Sequence, residues 1–91
     1  MKKSVRVYVE GTVQGIFFRS FVKENAERHN IKGFVRNLED GRLEVFLEGD
    51  NEDGDKMIEL CRTGPKHSDI KNVEVKPEKF QDFKTFKILH I

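Results

Sequence analysis

The sequence has a single cysteine, Cys61, among its 91 residues. One thiol cannot form an internal disulfide, so the sequence gives no support for a secreted, disulfide-stabilised scaffold and fits a reducing compartment. No stretch approaches the ~20 consecutive apolar residues of a membrane span. The apolar run from Val5 to Val9 is interrupted by Arg6 and is too short for a signal peptide. We therefore expect a cytoplasmic protein with no membrane partner.

An excess of charge of one sign is also missing. The sequence has 17 basic and 16 acidic residues, for a net charge of +1. A nucleic-acid-binding domain normally carries a basic excess, so we expect no nucleic-acid partner, while a small, locally held anion stays open as a ligand. The charged share of 36% is high, but eight phenylalanines argue against disorder. With no repeat and no linker, residues 1–91 are predicted to form one domain, which we expect to be a monomer.

Hydrophobic periodicity predicts strands and helices in close succession. Alternating apolar and polar residues mark the strands, and an i, i+3, i+4 spacing marks the helices. Asp40-Gly41 lies between two strand patterns and is a strong hairpin signal, while Gly64-Pro65 is typical of a helix end. The predicted elements are a strand at 5–9, a helix from Phe18 or Arg19 to Asn30, strands at 34–38 and 43–48, a helix from Asp50 or Asn51 to Gly64, a strand at 70–75 and a short strand at 86–88.

This order is β-α-β-β-α-β, with the short strand at 86–88 as an additional strand separated from the fourth strand at 70–75. It is typical of the α+β ferredoxin-like sandwich, in which an antiparallel sheet has two helices packed on one face. A sheet covered on one face also explains the alternation in the first and third strands. The fold does not by itself determine the function, since many functions share it.

The segment from Gly11 to Arg19 is the candidate binding site. A strand ends, a loop containing Gly11 and Gly15 follows, and a helix begins, which leaves backbone N–H groups unpaired and creates a partial positive charge. Such a loop can bind an anion, and Arg19 adds a permanent charge with a fork of donors suited to phosphate. The alternative is a tight turn with Arg19 as a solvated first-turn residue. Arginine is mildly unfavourable there, which favours a role beyond folding.

Two separated motifs resemble those of the acylphosphatase family. Residues 11–19, Gly-Thr-Val-Gln-Gly-Ile-Phe-Phe-Arg, resemble its signature Gly-x-Val-Gln-Gly-(Val/Ile)-x-Phe-Arg, and residues 33–37, Gly-Phe-Val-Arg-Asn, resemble its second motif. Further matches with the family's spacing are Ala26, Asp40-Gly41, Glu44 and Gly64-Pro65. The resemblance covers nearly the whole chain, and the family's fold is the ferredoxin-like one. The chain departs from the pattern at residues 66–69, where many members have a second proline and an alanine, which puts the stiffness of that loop in doubt but not the active site.

The resemblance implies a hydrolase that cleaves carboxyl–phosphate mixed anhydrides, or acyl phosphates, as its small-molecule substrates. It implies that Arg19 and Asn37 are the catalytic residues, with Arg19 holding the phosphate and Asn37 orienting the attacking water. Backbone N–H groups of the loop complete the phosphate site, at Gln14, Gly15, Ile16, Phe17 and Phe18. No metal, nucleotide or other cofactor is implied. Of Phe17 and Phe18, we expect one to anchor the helix start to the core and the other to be able to line the site for an acyl group.

The remaining polar residues favour structural interpretations. Arg36 neighbours Asn37 on a strand and so faces the other way, which favours a structural role over a second phosphate ligand. The three histidines are far apart and unpaired with cysteine, unlike a zinc site, and Cys61 is predicted to be buried. The acidic residues 48–55 are typical of a helix start rather than a calcium loop, and the alternating lysines and glutamates of residues 76–87 are predicted to be a solvated face.

Three other functions are weighed against the hydrolase. An RNA-recognition module would share the fold, but its aromatic motif fails after three residues and precedes the wrong strand. Acylphosphatase-like domains also occur in carbamoyl-transfer maturation factors, which are much larger chains, and carbamoyl phosphate is itself a mixed anhydride. A binding protein that has lost activity is the third, against which the presence of both Arg19 and Asn37 argues.

Overall fold

The computed structural model describes residues 1–13 and 16–90, in which two helices and five strands follow the order β-α-β-β-α-β-β. The strands are β1 (Lys2–Gly11), β2 (Lys32–Asn37), β3 (Leu43–Asp50), β4 (Ile70–Pro77) and β5 (Phe86–Ile88), and the helices are α1 (Ile16–Arg28) and α2 (Asn51–Thr63). Every predicted element is present. The boundaries shift by up to three residues: β1 begins at Lys2 rather than at Val5, and α1 begins at Ile16 rather than at Phe18 or Arg19.

The strands form one sheet in the order β4-β1-β3-β2-β5. The ferredoxin-like α+β fold is confirmed, with one departure from the expected antiparallel sheet. β5 pairs with β2 in parallel, with Val35 opposite Ile88. The reason is that residues 78–85, which we call the crossover segment, cross the sheet face that carries no helix. They deliver β5 to the edge opposite β4.

The main core lies between the sheet and the two helices. Buried valines of the sheet meet one stripe of each helix, so the period-2 and period-3.6 patterns of the sequence converge on the same layer. The helix residues of this core are Phe18, Val22, Ala26, Met57 and Cys61. Cys61 is fully buried, as predicted, and burial raises the pKa of its thiol to about 12. Neither helix of the described chain is long and apolar enough to cross a membrane.

The central strand β3 departs from the expectation of a sheet with one covered face. Its first seven residues are all buried, including Glu44 at 3% and Glu48 at 1% exposure. Glu44 accepts hydrogen bonds from Arg6 (2.8 Å) and Arg36 (2.5 Å), which lie on the two neighbouring strands. Burial by itself raises the pKa of Glu44, but the hydrogen bonds from the two arginines outweigh it and hold the pKa below the usual range.

The crossover segment explains why β3 is buried on both faces. The ring of Phe83 lies edge-on against Phe34 and Phe46, at centroid distances of 5.8 and 5.2 Å. The carboxylate of Glu48 accepts the backbone N–H groups of Gln81 and Phe83. The lysines of residues 76–87 are exposed, as predicted, whereas Phe83 of the same segment packs onto the sheet, and Glu48 belongs to β3 rather than to the acidic helix start.

The backbone conformation confirms the residues predicted to end the two helices. Asn30 adopts a left-handed conformation with φ of 56°, two residues after the last residue of α1. Gly64 ends α2 with φ of 71°, and its N–H donates to the carbonyl of Leu60 at 2.7 Å. Asp50 is the N-cap residue of α2, although its side chain makes no capping hydrogen bond.

Candidate active site

Three chain segments of the predicted site meet at one end of the sheet, where β1 and β2 terminate. β1 and β2 both run antiparallel to β3, so both end at the same edge, β1 at Gly11 and β2 at Asn37. Leu43 pairs with Val9 on one side and with Asn37 on the other, which sets Asn37 level with the end of β1. The helix α1 starts from this edge, because it follows β1 after a short loop. We call this end of the sheet, formed by the end of β1, Asn37 and the start of α1, the site edge.

The start of α1 is electrostatically suited to an anion. Its first turn contains no acidic residue, so no carboxylate of its own neutralises the partial positive charge of the helix end. Arg19 is the fourth residue of α1 and adds a permanent positive charge there. Its guanidinium Nη1 lies 3.2 Å from Nδ1 of His90. Because arginine has only donors, the N–H donates and the ring nitrogen accepts.

His90 links Arg19 to the end of β2. The N–H of Leu89 donates to the carbonyl of Val35 at 2.9 Å, continuing the parallel pairing of β5 with β2. The observed register ends with Val35 opposite Ile88. When it is continued by two residues on each chain segment, His90 lies level with Asn37. Arg19 and Asn37 are thus brought to the same edge by different elements. No local sequence pattern predicts the contact of His90, because it depends on the parallel pairing of β5.

Asn37 carries an unsatisfied polar group. Its side-chain Nδ2 is buried and has no hydrogen-bond partner in the described chain. Strand periodicity places Asn37 on the helix-facing side with Val35, which is fully buried. Arg36 lies on the opposite face, bound to Glu44, as expected of a structural residue. A buried amide donor without an acceptor costs stability, and a ligand that supplies the acceptor is one explanation for its presence.

The first residues of the predicted phosphate loop are held by the loop before β4. The N–H of Thr12 donates to the carbonyl of Asp69 at 2.9 Å. Gly11 has φ of 134°, and a Cβ placed there would lie 2.1 Å from the same carbonyl, so only glycine permits this approach. Residues 66–69, where the chain departs from the acylphosphatase pattern, therefore border the site. These contacts lie at Gly11 and Thr12, before the predicted phosphate-binding residues, so the expectation that the departure leaves the active site unaffected stays a prediction.

The predicted loop residues are only partly described. Gln14 and Gly15 lie outside the described residues, so their phosphate-binding role stays a prediction. Ile16, Phe17 and Phe18 are the first three residues of α1, where backbone N–H groups have no acceptor within the helix. Phe18 is the one that anchors the helix, at 3% exposure, and its ring meets Phe21 edge-on at 6.2 Å. Phe17 is 85% exposed.

The hairpin after Asn37 is held by an internal ion pair. Both the backbone N–H of Arg42 (3.0 Å) and its side-chain Nε (2.8 Å) donate to the carboxylate of Asp40. These hydrogen bonds, of which the backbone one has the larger effect, hold the pKa of Asp40 below its usual range. Gly41 has φ of 94°, as the predicted Asp-Gly hairpin requires. Asn37 is thus presented by a strand whose following turn is well fixed.

Two alternative sites find little support in the geometry. In the described part of the chain, no three His, Cys, Asp or Glu side chains are grouped as a metal site would need. An RNA-recognition sheet needs exposed aromatic rings on which bases stack. Phe46 is instead 1% exposed, between Phe34 and Phe83.

The fold and the site edge together define a small α+β protein with a candidate anion site at the start of its first helix. Comparison with known proteins agrees with this class and names it. The acylphosphatase family model matches residues 5–88, and the chain belongs to the acylphosphatase family. The acylphosphatase of Rubrobacter xylanophilus is 49% identical over 76 residues, which cover 84% of this chain and 69% of that protein. These relationships make the chain an acylphosphatase-type enzyme that hydrolyses acyl phosphates.

Solved structures support the same assignment. The crystal structure of acylphosphatase from Bacillus subtilis superposes with a TM-score of 0.91 at 30% identity, covering 99% of this chain and all of that one. Full-length HypF, solved in a phosphate- and nucleotide-bound form, contains a similar region, with a TM-score of 0.87 and 28% identity. The match covers 99% of this chain but 12% of HypF.

Proposed function

We propose that this chain hydrolyses acyl phosphates by direct attack of a water molecule positioned at the site edge. The phosphate is held by Arg19 and by backbone N–H groups of residues 14–18, and Asn37 orients the water. The observation that carries the proposal is the buried, unpartnered Nδ2 of Asn37 at the edge where α1 begins. The proposal gives this donor its acceptor, an oxygen of the water or of the substrate.

The reaction requires the protein mainly to align the water with the substrate and to stabilise negative charge on the phosphate. The water oxygen bonds to phosphorus while the bond from phosphorus to the acyl oxygen breaks, and the electron pair leaves with the carboxylate. A carboxylate is a good leaving group, so no general acid is needed. Phosphoryl transfer of this kind is accelerated by alignment and by stabilising charge on the equatorial oxygens, which an arginine and a set of N–H donors provide without a metal ion.

The protons of the water have a defined destination in this scheme. One stays on the oxygen that joins phosphorus, and the other goes to a phosphate oxygen of the substrate. Asparagine cannot act as a base near neutral pH, so the substrate takes this proton itself. A pH–rate profile without an essential enzyme base near neutrality is expected, and a bell-shaped profile would contradict this part of the proposal.

The direct test is hydrolysis of benzoyl phosphate, followed by ultraviolet absorbance in the presence of EDTA. Arg19→Ala and Asn37→Ala are each expected to lower kcat by about 100-fold or more, because each removes a group that acts on the transition state. Arg28→Ala is the matched control for Arg19, since it removes an exposed arginine from the far end of the same helix. Asn72→Ala on the exposed edge strand β4 is the control for Asn37.

The outcomes separate function from fold. Loss of turnover in the two site variants, with normal circular dichroism and active controls, supports the assigned roles. Full activity in either site variant would remove that residue from the mechanism. A folded parent protein without turnover would leave a phosphate-binding protein that has lost the activity of its family.

A further inference from the structure

Large apolar side chains are exposed at few places in the described chain. Apart from the terminal Met1, they are Ile16 at 47%, Phe17 at 85% and Phe80 at 54% exposure. Two of these three are consecutive residues of the first turn of α1, beside the proposed phosphate site. A single exposed apolar residue is ordinary, but an adjacent pair at a candidate binding site calls for a partner of the same chemistry.

The helix period explains why Phe17 points outward. Phe18 and Val22 face the core, with exposures of 3% and 1%. Successive residues of a helix are about 100° apart, so Phe17 points away from the face that Phe18 and Val22 share. Folding therefore leaves the ring of Phe17 in solvent at the start of α1, in the segment whose backbone N–H groups are proposed to bind phosphate.

The direction of the reaction places the acyl group on the same side. In phosphoryl transfer the attacking and leaving oxygens lie roughly in line on opposite sides of phosphorus. The proposed water lies on the side of Asn37, which is on the sheet and faces the helix layer. We expect the leaving acyl group on the side away from Asn37, and the exposed apolar side chains beside the proposed phosphate site are Ile16 and Phe17 at the start of α1.

We propose that Ile16 and Phe17 form an apolar platform for the acyl group and make the enzyme selective for acyl phosphates with aromatic or large aliphatic acyl groups over acetyl phosphate. The inference rests on the proposed function and adds the substrate class to it. Phe17 is a specificity-determining residue in this scheme, because its side chain contacts the acyl group while its backbone contributes to the phosphate site.

The test compares kcat/KM for benzoyl phosphate with kcat/KM for acetyl phosphate. Taking the ratio removes any effect of a substitution on the phosphate site, since both substrates share it. Phe17→Ala should lower the ratio about fivefold, the size expected when one aromatic contact is lost. Phe17→Leu keeps an apolar side chain and should retain most of the ratio. Because Phe17 is 85% exposed, both variants are expected to fold, which circular dichroism checks.

Phe80→Ala is the matched control. Phe80 is also an exposed phenylalanine, but it lies near Glu48 and Gly49 at the opposite end of the sheet from the site edge. Its substitution should leave the ratio unchanged. A ratio that does not change in Phe17→Ala, or that falls as much in Phe80→Ala, would overturn the inference.

An independent readout needs only the parent protein. Phenylphosphonate should inhibit more strongly than methylphosphonate, because both present the same charged group and only the first has a ring for the platform. Equal inhibition would count against the platform. A parent protein that hydrolyses neither acyl phosphate would instead refute the proposed function, so the two failures can be told apart.

Discussion

Stability and function are expected to oppose each other at Asn37. Its Nδ2 is buried without a hydrogen-bond partner in the described structure, which is a cost that the free protein carries. Asn37→Leu replaces the amide with apolar groups of similar size and removes that cost. We expect the free energy of unfolding to rise by about 1 kcal/mol while hydrolysis is lost. Denaturant unfolding and the benzoyl phosphate assay measure the two effects.

A purely structural asparagine would behave in the opposite way. If Asn37 served the fold, its replacement by leucine would lower the free energy of unfolding and leave turnover in the folded fraction. That pair of results would contradict the role proposed for the side chain. The same experiment therefore tests both the unpaired donor and its function.

At the scale of residues, the sequence identified side chains whose position follows from local pattern. Arg19 and Asn37 stand out through their motifs, and the pattern left open which of Phe17 and Phe18 enters the core. The contact of His90 with Arg19 at 3.2 Å could not be predicted, because it depends on β5 pairing with a strand that is about 50 residues earlier in the chain. The carbonyl of Asp69 that fixes Thr12 was missed for the same reason.

At the scale of elements, the crossover segment depends on one buried carboxylate. Glu48 is 1% exposed and accepts N–H groups from Gln81 and Phe83 and the hydroxyl of Ser4. Glu48→Gln keeps the shape but replaces one acceptor oxygen with a donor. We expect a loss of about 2 kcal/mol in the free energy of unfolding, because a buried backbone N–H then faces another donor. Hydrogen exchange of the Gln81 and Phe83 amides should quicken more than that of β1.

Glu74→Gln is the control for this substitution. Glu74 is exposed on the edge strand β4 and has a 3.7 Å contact with Lys76, so its replacement should change stability by less than about 0.5 kcal/mol. Equal exchange rates for the crossover amides in Glu48→Gln and in the parent would show that Phe83 and the chain connections hold the segment without the carboxylate.

The sequence predicted the helices and strands better than it predicted which faces of the sheet are covered. Helix and strand types follow from local periodicity, and all seven elements are found. The crossover segment could not be predicted, because residues 76–87 are rich in charge and Phe83 is the only one of their side chains that packs onto the aromatic cluster of the sheet. In β3, alternation with glutamates resembles an exposed face, although arginines of the neighbouring strands cover Glu44 and the crossover segment covers Glu48.

At the scale of the whole molecule, Glu44 joins parts of the chain that are distant in sequence. It binds Arg6 on β1 and Arg36 on β2, and Arg6 also binds Glu78 of the crossover segment at 3.1 Å. The pKa of Glu44 is held below its usual value in the folded protein. A carboxyl group with a depressed pKa stabilises the fold fully above the pKa of the unfolded chain, about 4.3, and loses this contribution as the pH falls through the folded value.

Glu44→Gln should therefore be less stable than the parent by about 2 kcal/mol at pH 7, since both arginines lose a charged acceptor. The difference should stay constant down to about pH 5 and shrink below about pH 4.3, where the parent also loses the charge. Denaturant unfolding at a series of pH values measures it. Glu59→Gln, at a side chain that is 75% exposed on α2, is the control and should follow the parent throughout. A difference that persists unchanged at pH 3 would mean that Glu44 acts through its shape and packing, and that the arginines contribute nothing through its charge.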